Sequence, residues 1–205
     1  MNYLAHLLLS EPDPLARIGN LAGDFLKGAN VRSLHPSIQQ GIALHRQIDA
    51  YTDQHPIVRR SKARVEPPYC RWAGVLVDVF YDHFLAVHWE TYSVGSLEVF
   101  VQEVYADLQQ HQALLPPSLQ RALPFMLAGD WLTSYRQVSG MAAILERMSR
   151  RSRRSSLLAS SICVLQTHYD ALEHDFHQYF PALANHVQQV SSFRVQPQEV
   201  LPSNS

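Results

Sequence analysis

The chain has 205 residues, of which 46% are hydrophobic, and its formal net charge is -1. A sequence of this length and composition can bury one large core and is too apolar to be disordered over most of its length. Because the net charge is close to zero, no global field recruits nucleic acid or a membrane surface, and we expect neither as a partner, although local charged patches can still bind.

Apolar residues recur at spacings of three and four along most of the chain, which predicts an all-α fold, a single-domain helical bundle. Ser37, with Gln40 three residues later, is predicted to cap the third helix. The apolar pattern fades after Pro181, so we expect a domain over residues 1–190 and a flexible tail over 191–205. In chain order the predicted helices are Asn2–Leu9, Leu15–Lys27, Ser37–Gln54, a segment starting at Pro56, Tyr69–Trp89, Leu97–Leu114, Ser118–Ala128, Trp131–Met148 and Ser155–Tyr179.

The cysteines and the N-terminus indicate the compartment. Cys70 and Cys163 lack zinc-finger spacing and argue against a disulfide framework, so we expect two buried thiols. The apolar N-terminus has no basic region and no small-residue cleavage site, which favours a core helix over a signal peptide. No apolar run approaches the roughly 20 residues that span a bilayer. We therefore place the protein in the cytoplasm.

Two candidate site residues lie on the first two helices. His6 lies among leucines, where a single histidine is most often a hydrogen-bonded core residue. Asp24 ends the segment Gly19-Asn-Leu-Ala-Gly-Asp24, whose small residues let another helix or a ligand approach the backbone closely. The alternative for Asp24 is a helix-face carboxylate near Lys27. Neither residue decides the function alone.

The third helix carries His45 and Asp49 one turn apart, on a stripe shared with Ile38, Ile42 and Thr52. This face is therefore predicted to turn inward. A buried carboxylate is costly unless it is paired or bound to a metal ion. Two interpretations stay open: a hydrogen bond between His45 and Asp49 inside a helix bundle, or a pair of metal ligands.

The predicted fifth helix carries Asp78 and Asp82 one turn apart in an apolar segment. Like charges at this spacing repel, and more strongly where water is excluded. Proton sharing, an arginine partner or a divalent cation would neutralise them, and the adjacent His83 favours the cation. We expect the pair to point into a cleft. The alternatives are a solvated face for the carboxylates and a carbonyl-bonded core position for His83.

Four predicted helices thus each supply an inward His or Asp, which is how helical bundles build metal sites in their cores. Mixed imidazole and carboxylate ligation without a thiolate suits Mn, Fe, Mg or Co better than structural zinc. Such a site normally activates water and holds phosphate oxygens.

Five signatures follow one another along the chain: Asn2-Tyr-Leu-Ala-His6; Gly19-Asn-Leu-Ala-Gly-Asp24-Phe; His45-Arg-Gln-Ile-Asp49 with Thr52-Asp53; Asp78 through Asp82-His83-Phe84-Leu85; and Tyr169-Asp-Ala-Leu-Glu173 with Phe176 and Phe180-Pro181. In their order and spacing they resemble the acyl carrier protein phosphodiesterase family, also called acyl carrier protein hydrolase. The likeness runs from Met1 to about Ala184.

The resemblance implies a divergent member of the HD phosphohydrolase superfamily. It also implies a Mn2+-dependent enzyme, with Mg2+, Fe2+ or Co2+ as alternatives, that removes 4'-phosphopantetheine from a serine of holo acyl carrier protein. The chain departs from the adjacent His-Asp doublet typical of that superfamily, because Asp82-His83 has the reverse order and His45 is separated from Asp49.

This interpretation assigns roles to the candidate residues. His6 or His83 would order the attacking water or protonate the departing serine. Arg46 would contact a phosphate oxygen, unless it is a solvated helix residue. The candidate ligands, for one or two cations, are Asp24, His45, Asp49, Asp78 and Asp82.

An enzyme that acts on a small acidic carrier protein should present a local basic surface. We favour a cluster between the two predicted metal-bearing helices; its alternative is a solvated amphipathic face. A second cluster is an alternative docking face, a mobile loop or a nucleic-acid contact. The first cluster is Arg59, Arg60, Lys62 and Arg64, and the second is Arg147, Arg150, Arg151, Arg153 and Arg154.

Two other functions stay open. One is an HD-like phosphohydrolase acting on a small nucleotide or phosphoester; the lack of an aromatic and glycine nucleotide-pocket signature mildly disfavours it, although helical bundles can build such a pocket from scattered residues. The other is a helical module without turnover that binds an acidic partner.

Overall fold

The computed structural model describes residues 1–26, 31–150 and 153–191, without the side chains of Arg153 and Arg154. Its regular structure is helical throughout these ranges, which confirms the all-α prediction, and none of its helices is long and apolar enough to cross a membrane. The α-helices are α1 (Tyr3–Leu8), α2 (Pro14–Ala22), α3 (Pro36–Gln54), α4 (Pro56–Ala63), α5 (Ala73–Val87), α6 (Trp89–Tyr92), α7 (Leu97–Gln110), α8 (Pro117–Ala128), α9 (Val138–Ser149), α10 (Ile162–Thr167) and α11 (Tyr169–Val190).

Helix α5 lies at the centre of the fold, in contact with α1, α4, α9 and α11. Residues 76–86 are buried except for Asp78. A helix that is apolar on nearly all sides must be covered on all sides, which explains this central position. The predicted cleft face is wrong for Asp82, whose side chain is fully buried in the core, whereas Asp78 is only partly buried.

Helices α2 and α3 pack with their backbones in direct contact. A Cβ atom at Gly19 would clash with the carbonyl group of Ile38, and one at Gly41 would clash with that of Ala16. Glycine at both positions is therefore required for the approach. This confirms that the small residues of α2 admit a neighbouring helix, and it holds the inward face of α3 close to α1.

The start of α3 differs from the prediction. His35, not Ser37, is the N-cap residue, and its Nδ1 atom accepts a hydrogen bond of 3.3 Å from the Ser37 amide. Pro36 then occupies the first helical position, where no amide hydrogen is needed. The predicted inward stripe is confirmed for His45 and its apolar neighbours, while Asp49 lies half-exposed at the rim.

The C-terminal region also differs from the prediction. The segment predicted as one helix is divided into a 3-10 segment (Arg153–Ser160), α10 and α11. Helix α11 continues through Pro181 because Leu183 and Val187 are buried, and each such side chain contributes roughly 1.5–3 kcal/mol of burial energy that offsets the lost hydrogen bond.

The end of α2, the two cysteines and the predicted tail can also be compared with the structure. Helix α2 ends at Ala22 and a 3-10 turn (Gly23–Phe25) follows, while Lys27 lies outside the described residues. Both cysteines are exposed, so the expectation of buried thiols is wrong. The predicted tail, apart from Ser191, also lies outside the described residues.

Candidate metal centre

Helices α1 and α3 bring His6, His45 and Asp49 together, and we call these three residues the central cluster. Nε2 of His6 lies 3.2 Å from Oδ1 of Asp49, and Nε2 of His45 lies 3.1 Å from Oδ2 of the same carboxylate. The two imidazole rings stack with their centroids 4.1 Å apart. One ligand atom from each residue lies within 4.8 Å of the others, a spacing that can hold a metal ion. Both histidines are buried, and Asp49 opens to solvent.

Hydrogen bonding fixes the tautomer of His6. The Asn20 amide nitrogen donates to the His6 carbonyl oxygen (2.8 Å) and to Ser10 Oγ (2.9 Å), so the amide oxygen faces Nδ1 of His6 at 2.9 Å. Nδ1 therefore carries the proton. Burial lowers the pKa of His6 and outweighs the opposing charge of Asp49, which keeps the ring neutral.

At the centre of the cluster, a lone pair of His6 faces a lone pair of Asp49 with no proton between them. In this tautomer Nε2 of His6 has a lone pair and no proton, and it is buried without a hydrogen-bond partner although Asp49 is 3.2 Å away. Burial raises the pKa of Asp49, but the hydrogen bond from His45 and the charge of the Met1 ammonium group lower it more, so the carboxylate is ionised. Two acceptors thus face each other, an arrangement that a cation would relieve.

Asp24 lies at the edge of the cluster, in the 3-10 turn that follows α2. Its Oδ1 atom is 3.9 Å from Nε2 of His45, and its side chain is 41% exposed. A Cβ atom at Gly23 would clash with the His45 ring, so this glycine allows the turn to pass over the imidazole. Burial lowers the pKa of His45, but Asp49 and Asp24 together raise it above the usual value.

The acidic pair of α5 contacts the start of α1. Asp82 accepts hydrogen bonds from the amides of Asn2 (3.3 Å), Leu4 (2.7 Å) and Ala5 (3.3 Å). Asp78 lies 3.1 Å from the α-amino group of Met1, which is also 3.8 Å from Asp49. Both oxygens of Asp82 therefore hold α1 in place, and Asp78 connects to the central cluster through one ammonium group. The assignment of these two residues as metal ligands stays a prediction.

His83 contacts a different group of residues. Nδ1 donates to the carbonyl oxygen of Tyr135 (2.6 Å), and Nε2 is therefore the acceptor for the Tyr169 hydroxyl (3.1 Å). The structure thus places this ring between α5, α11 and the turn that carries Tyr135. Arg46 is exposed, one residue after His45. Their predicted catalytic roles stay predictions.

Two cations of the first basic cluster pair with a buried carboxylate that no sequence pattern indicated. Asp175 of α11 is 1% exposed and pairs with both Arg60 and Arg64. Ser61 donates to it as well, at 2.7 Å, and also contacts the Tyr81 hydroxyl at 2.8 Å. We call these five residues the Asp175 network.

The remaining basic residues are divided between surface contacts and one pocket. Lys62 pairs with Asp53 at 2.8 Å, and Arg59 is exposed. Arg150 pairs with Glu146 at 2.6 Å. Arg151 and the side chains of Arg153 and Arg154 lie outside the described residues.

Arg147 lies in a pocket at the start of α1, which is lined by Asn2, Tyr3, Trp131 and Tyr135 among others. Its guanidinium stacks over the Trp131 ring at 4.6 Å. The described residues place no carboxylate within ion-pair distance of this cation. Burial raises the pKa of Tyr135, and the charges of Asp82 and Asp24 raise it further. The pocket therefore lies beside the acidic residues of the candidate site.

Comparison with known proteins identifies the family. A family model described as "Acyl carrier protein phosphodiesterase" matches residues 1–183. Proteins of that name match from Serratia proteamaculans (34% identity; 89% of this chain and 95% of the relative), Yersinia enterocolitica (31%; 92% and 98%) and Escherichia coli O6:H1 (36%; 89% and 95%). No solved structure matches, and the likeness to HD phosphohydrolases stays a prediction. The chain is a member of the acyl carrier protein phosphodiesterase family.

Proposed function

We propose that this protein is a metal-dependent phosphodiesterase that hydrolyses the bond between a carrier-protein serine and 4'-phosphopantetheine in holo acyl carrier protein. The products are apo carrier protein and 4'-phosphopantetheine. Family membership supports the reaction class and the carrier substrate. One observation supports the metal: the buried, proton-free Nε2 of His6 faces the ionised carboxylate of Asp49.

The central cluster fits a divalent cation such as Mn2+. His6, His45 and Asp49 would hold it, with Asp24 at the rim as a further ligand. Two imidazoles with carboxylates and no thiolate suit Mn2+, Fe2+ or Co2+. When bound, such an ion lowers the pKa of a coordinated water and neutralises charge on phosphate oxygens.

The other residues of the site position these groups. Asn20 fixes the tautomer of His6 and directs the Nε2 lone pair toward Asp49. Asp82 holds the first turn of α1, and with it the backbone that carries His6. A metal-binding histidine whose second nitrogen is hydrogen-bonded in this way has a fixed orientation and higher basicity.

Arg147 is the cation that we assign to the phosphate of the substrate. Its guanidinium is held against Trp131 and has no carboxylate partner in the described residues, so its donors are available to an anion. Among the first basic cluster, Arg59 is the exposed cation without a described carboxylate partner, and we propose that it contributes to docking of the acidic carrier.

Intact-mass spectrometry of holo acyl carrier protein tests this proposal. With Mn2+ and the enzyme, the carrier should lose the mass of the phosphopantetheine group, and a chelator should prevent the loss. Asp53→Asn, which alters an exposed carboxylate on the same helix as Asp49, is the matched control and should remain active. An unchanged holo mass with metal bound would transfer the assignment to a small phosphoester substrate, and an unchanged mass without metal binding would favour a binding module.

A further inference from the structure

A second group of metal-ligating side chains lies where the end of α5 meets α11. It comprises His88, Glu173 and His177, which we call the α11 triad. It shares no residue with the central cluster. Nε2 of His88 is 2.7 Å from Oε1 of Glu173, and one ligand atom from each of the three residues lies within 4.8 Å of the others.

We propose that the α11 triad binds one divalent transition-metal ion of the Zn2+ type. Two imidazoles and one carboxylate form an open three-ligand set that zinc, cobalt and nickel prefer over magnesium or calcium. Ligand atoms at about 2.0–2.2 Å from a tetrahedral ion lie about 3.3–3.6 Å from one another. The His88–Glu173 separation of 2.7 Å is shorter than that range, and all three ligand atoms lie within 4.8 Å of one another, so small side-chain rotations can complete the site.

The backbone positions of the triad are rigid. Glu173 and His177 are one turn apart on α11, and two of the three residues between them, Asp175 and Phe176, are fully buried. His88 is followed by Trp89, which is also buried. The three ligands therefore project from elements that are anchored in the core, and binding does not require a loop to become ordered.

Tyr92 supplies the outer hydrogen bond that metal-bound histidines normally make. Its hydroxyl is 2.7 Å from Nδ1 of His177, and its ring packs against Phe180 with centroids 4.9 Å apart. When Nδ1 donates to this hydroxyl, the ring lone pair is on Nε2, which we assign as the ligand atom. The side chains of His88 and Glu173 are 31% and 27% exposed, so an ion can enter from solvent and water can fill the open position.

Cobalt titration of the metal-free full-length chain tests the proposal. The titration is made in an Asp49→Asn background, which weakens the central cluster, and it is followed by the visible absorption of bound Co2+. We expect one ion per chain, displaced by Zn2+. His177→Phe and Glu173→Gln should each weaken binding at least about tenfold, which is the lower range for loss of even an outer-shell partner.

His174→Phe is the matched control, since His174 is an exposed histidine on the same helix outside the triad. It should leave binding unchanged. Zn2+ should also raise the thermal midpoint of the Asp49→Asn protein, and His177→Phe should abolish that rise while circular dichroism confirms a folded chain. The proposal is overturned if cobalt does not bind in this background, or if binding persists unchanged in both triad variants. Neither outcome depends on the hydrolysis of holo carrier protein.

Discussion

The central cluster and the Asp175 network both place a carboxylate among polar side chains, yet their hydrogen-bond patterns are opposite. Around Asp175 every contact pairs an acceptor with a donor, from two arginines and one serine. In the central cluster, the His6 nitrogen that faces Asp49 has no proton to donate. The first arrangement is complete without a ligand, and the second is not.

The difference separates structural polar groups from functional ones. A buried polar network that is fully paired rigidifies the fold, whereas a buried acceptor without a donor destabilises it unless something else binds there. The Asp175 network fastens α4 to α11, and we attribute to it a role in stability. The central cluster carries the unpaired atoms, and we attribute to it the chemistry.

The largest expected effect is that of Asp49→Asn on activity. Loss of the carboxylate should remove metal binding and lower kcat/KM by about 1000-fold or more, since the ion supplies several kcal/mol of transition-state stabilisation. In the metal-free protein the new amide can donate to Nε2 of His6 and accept from His45. The amide also loses the ionic contacts with His45 and the Met1 ammonium group, but Asp49 is 42% exposed, so the free energy of unfolding should fall by no more than about 1 kcal/mol.

Enzyme assays, metal analysis and urea denaturation of the same preparations check this prediction. A large loss of stability in metal-free Asp49→Asn would mean that the carboxylate is paired like that of Asp175, and the contrast between the two regions would fail. Asp53→Asn again serves as the control.

Asp175→Asn should lower stability and leave activity and metal binding unchanged, the reverse of Asp49→Asn. It leaves the guanidinium groups of Arg60 and Arg64 without their anionic partner; because these groups are 48% and 25% exposed and only Asp175 is buried, the loss should cost about 1.5–3 kcal/mol. Metal binding and kcat of the folded fraction should stay at the wild-type values. Urea denaturation and metal analysis test this, and loss of metal from a folded Asp175→Asn protein would contradict it.

The sequence alone identifies much of the fold but only part of these two regions. Helical periodicity locates most helices, and the inward stripe of α3 follows from spacing. The partners of Asp82 and Asp175 could not be predicted, because the amide of Leu4 is 78 residues from Asp82 and Arg60 is 115 residues from Asp175. A single sequence carries no signal for such contacts.

The same limit affects the choice of ligands. The acidic pair of α5 signals a charge that must be neutralised, but the signal does not distinguish a metal ion from the amides of a neighbouring helix. For His6 the sequence gives no sign of a ligand role, since a histidine among leucines is typical of a core position. Its distance to Asp49, together with the contact with Asn20 that fixes its proton, places His6 among the candidate ligands.

The pH dependence of stability offers a further test, because both ring nitrogens of His83 are hydrogen-bonded, unlike those of His6. Burial lowers the pKa of its ring below the usual value of 6.5. Its contribution to stability is therefore fully present above pH 6.5 and is lost as the pH falls through the lower pKa of the folded state. The stability difference between wild type and His83→Gln should shrink from pH 7.5 to about pH 5. Denaturation curves measure it, and a constant difference would mean that His83 titrates normally in the folded protein.

The smallest expected effect concerns Arg59, the exposed neighbour of the Asp175 network. Arg60 is held by Asp175, whereas Arg59 has no described carboxylate partner, so a docking role should depend on Arg59. Arg59→Glu should raise KM for the carrier several-fold with little change in kcat, and the effect should shrink as salt rises. Arg121→Glu, at an exposed position on α8, is the matched control for net charge. Equal effects of the two substitutions would show that the overall charge, and not this face, attracts the carrier, because only a local contact depends on where the charge is placed.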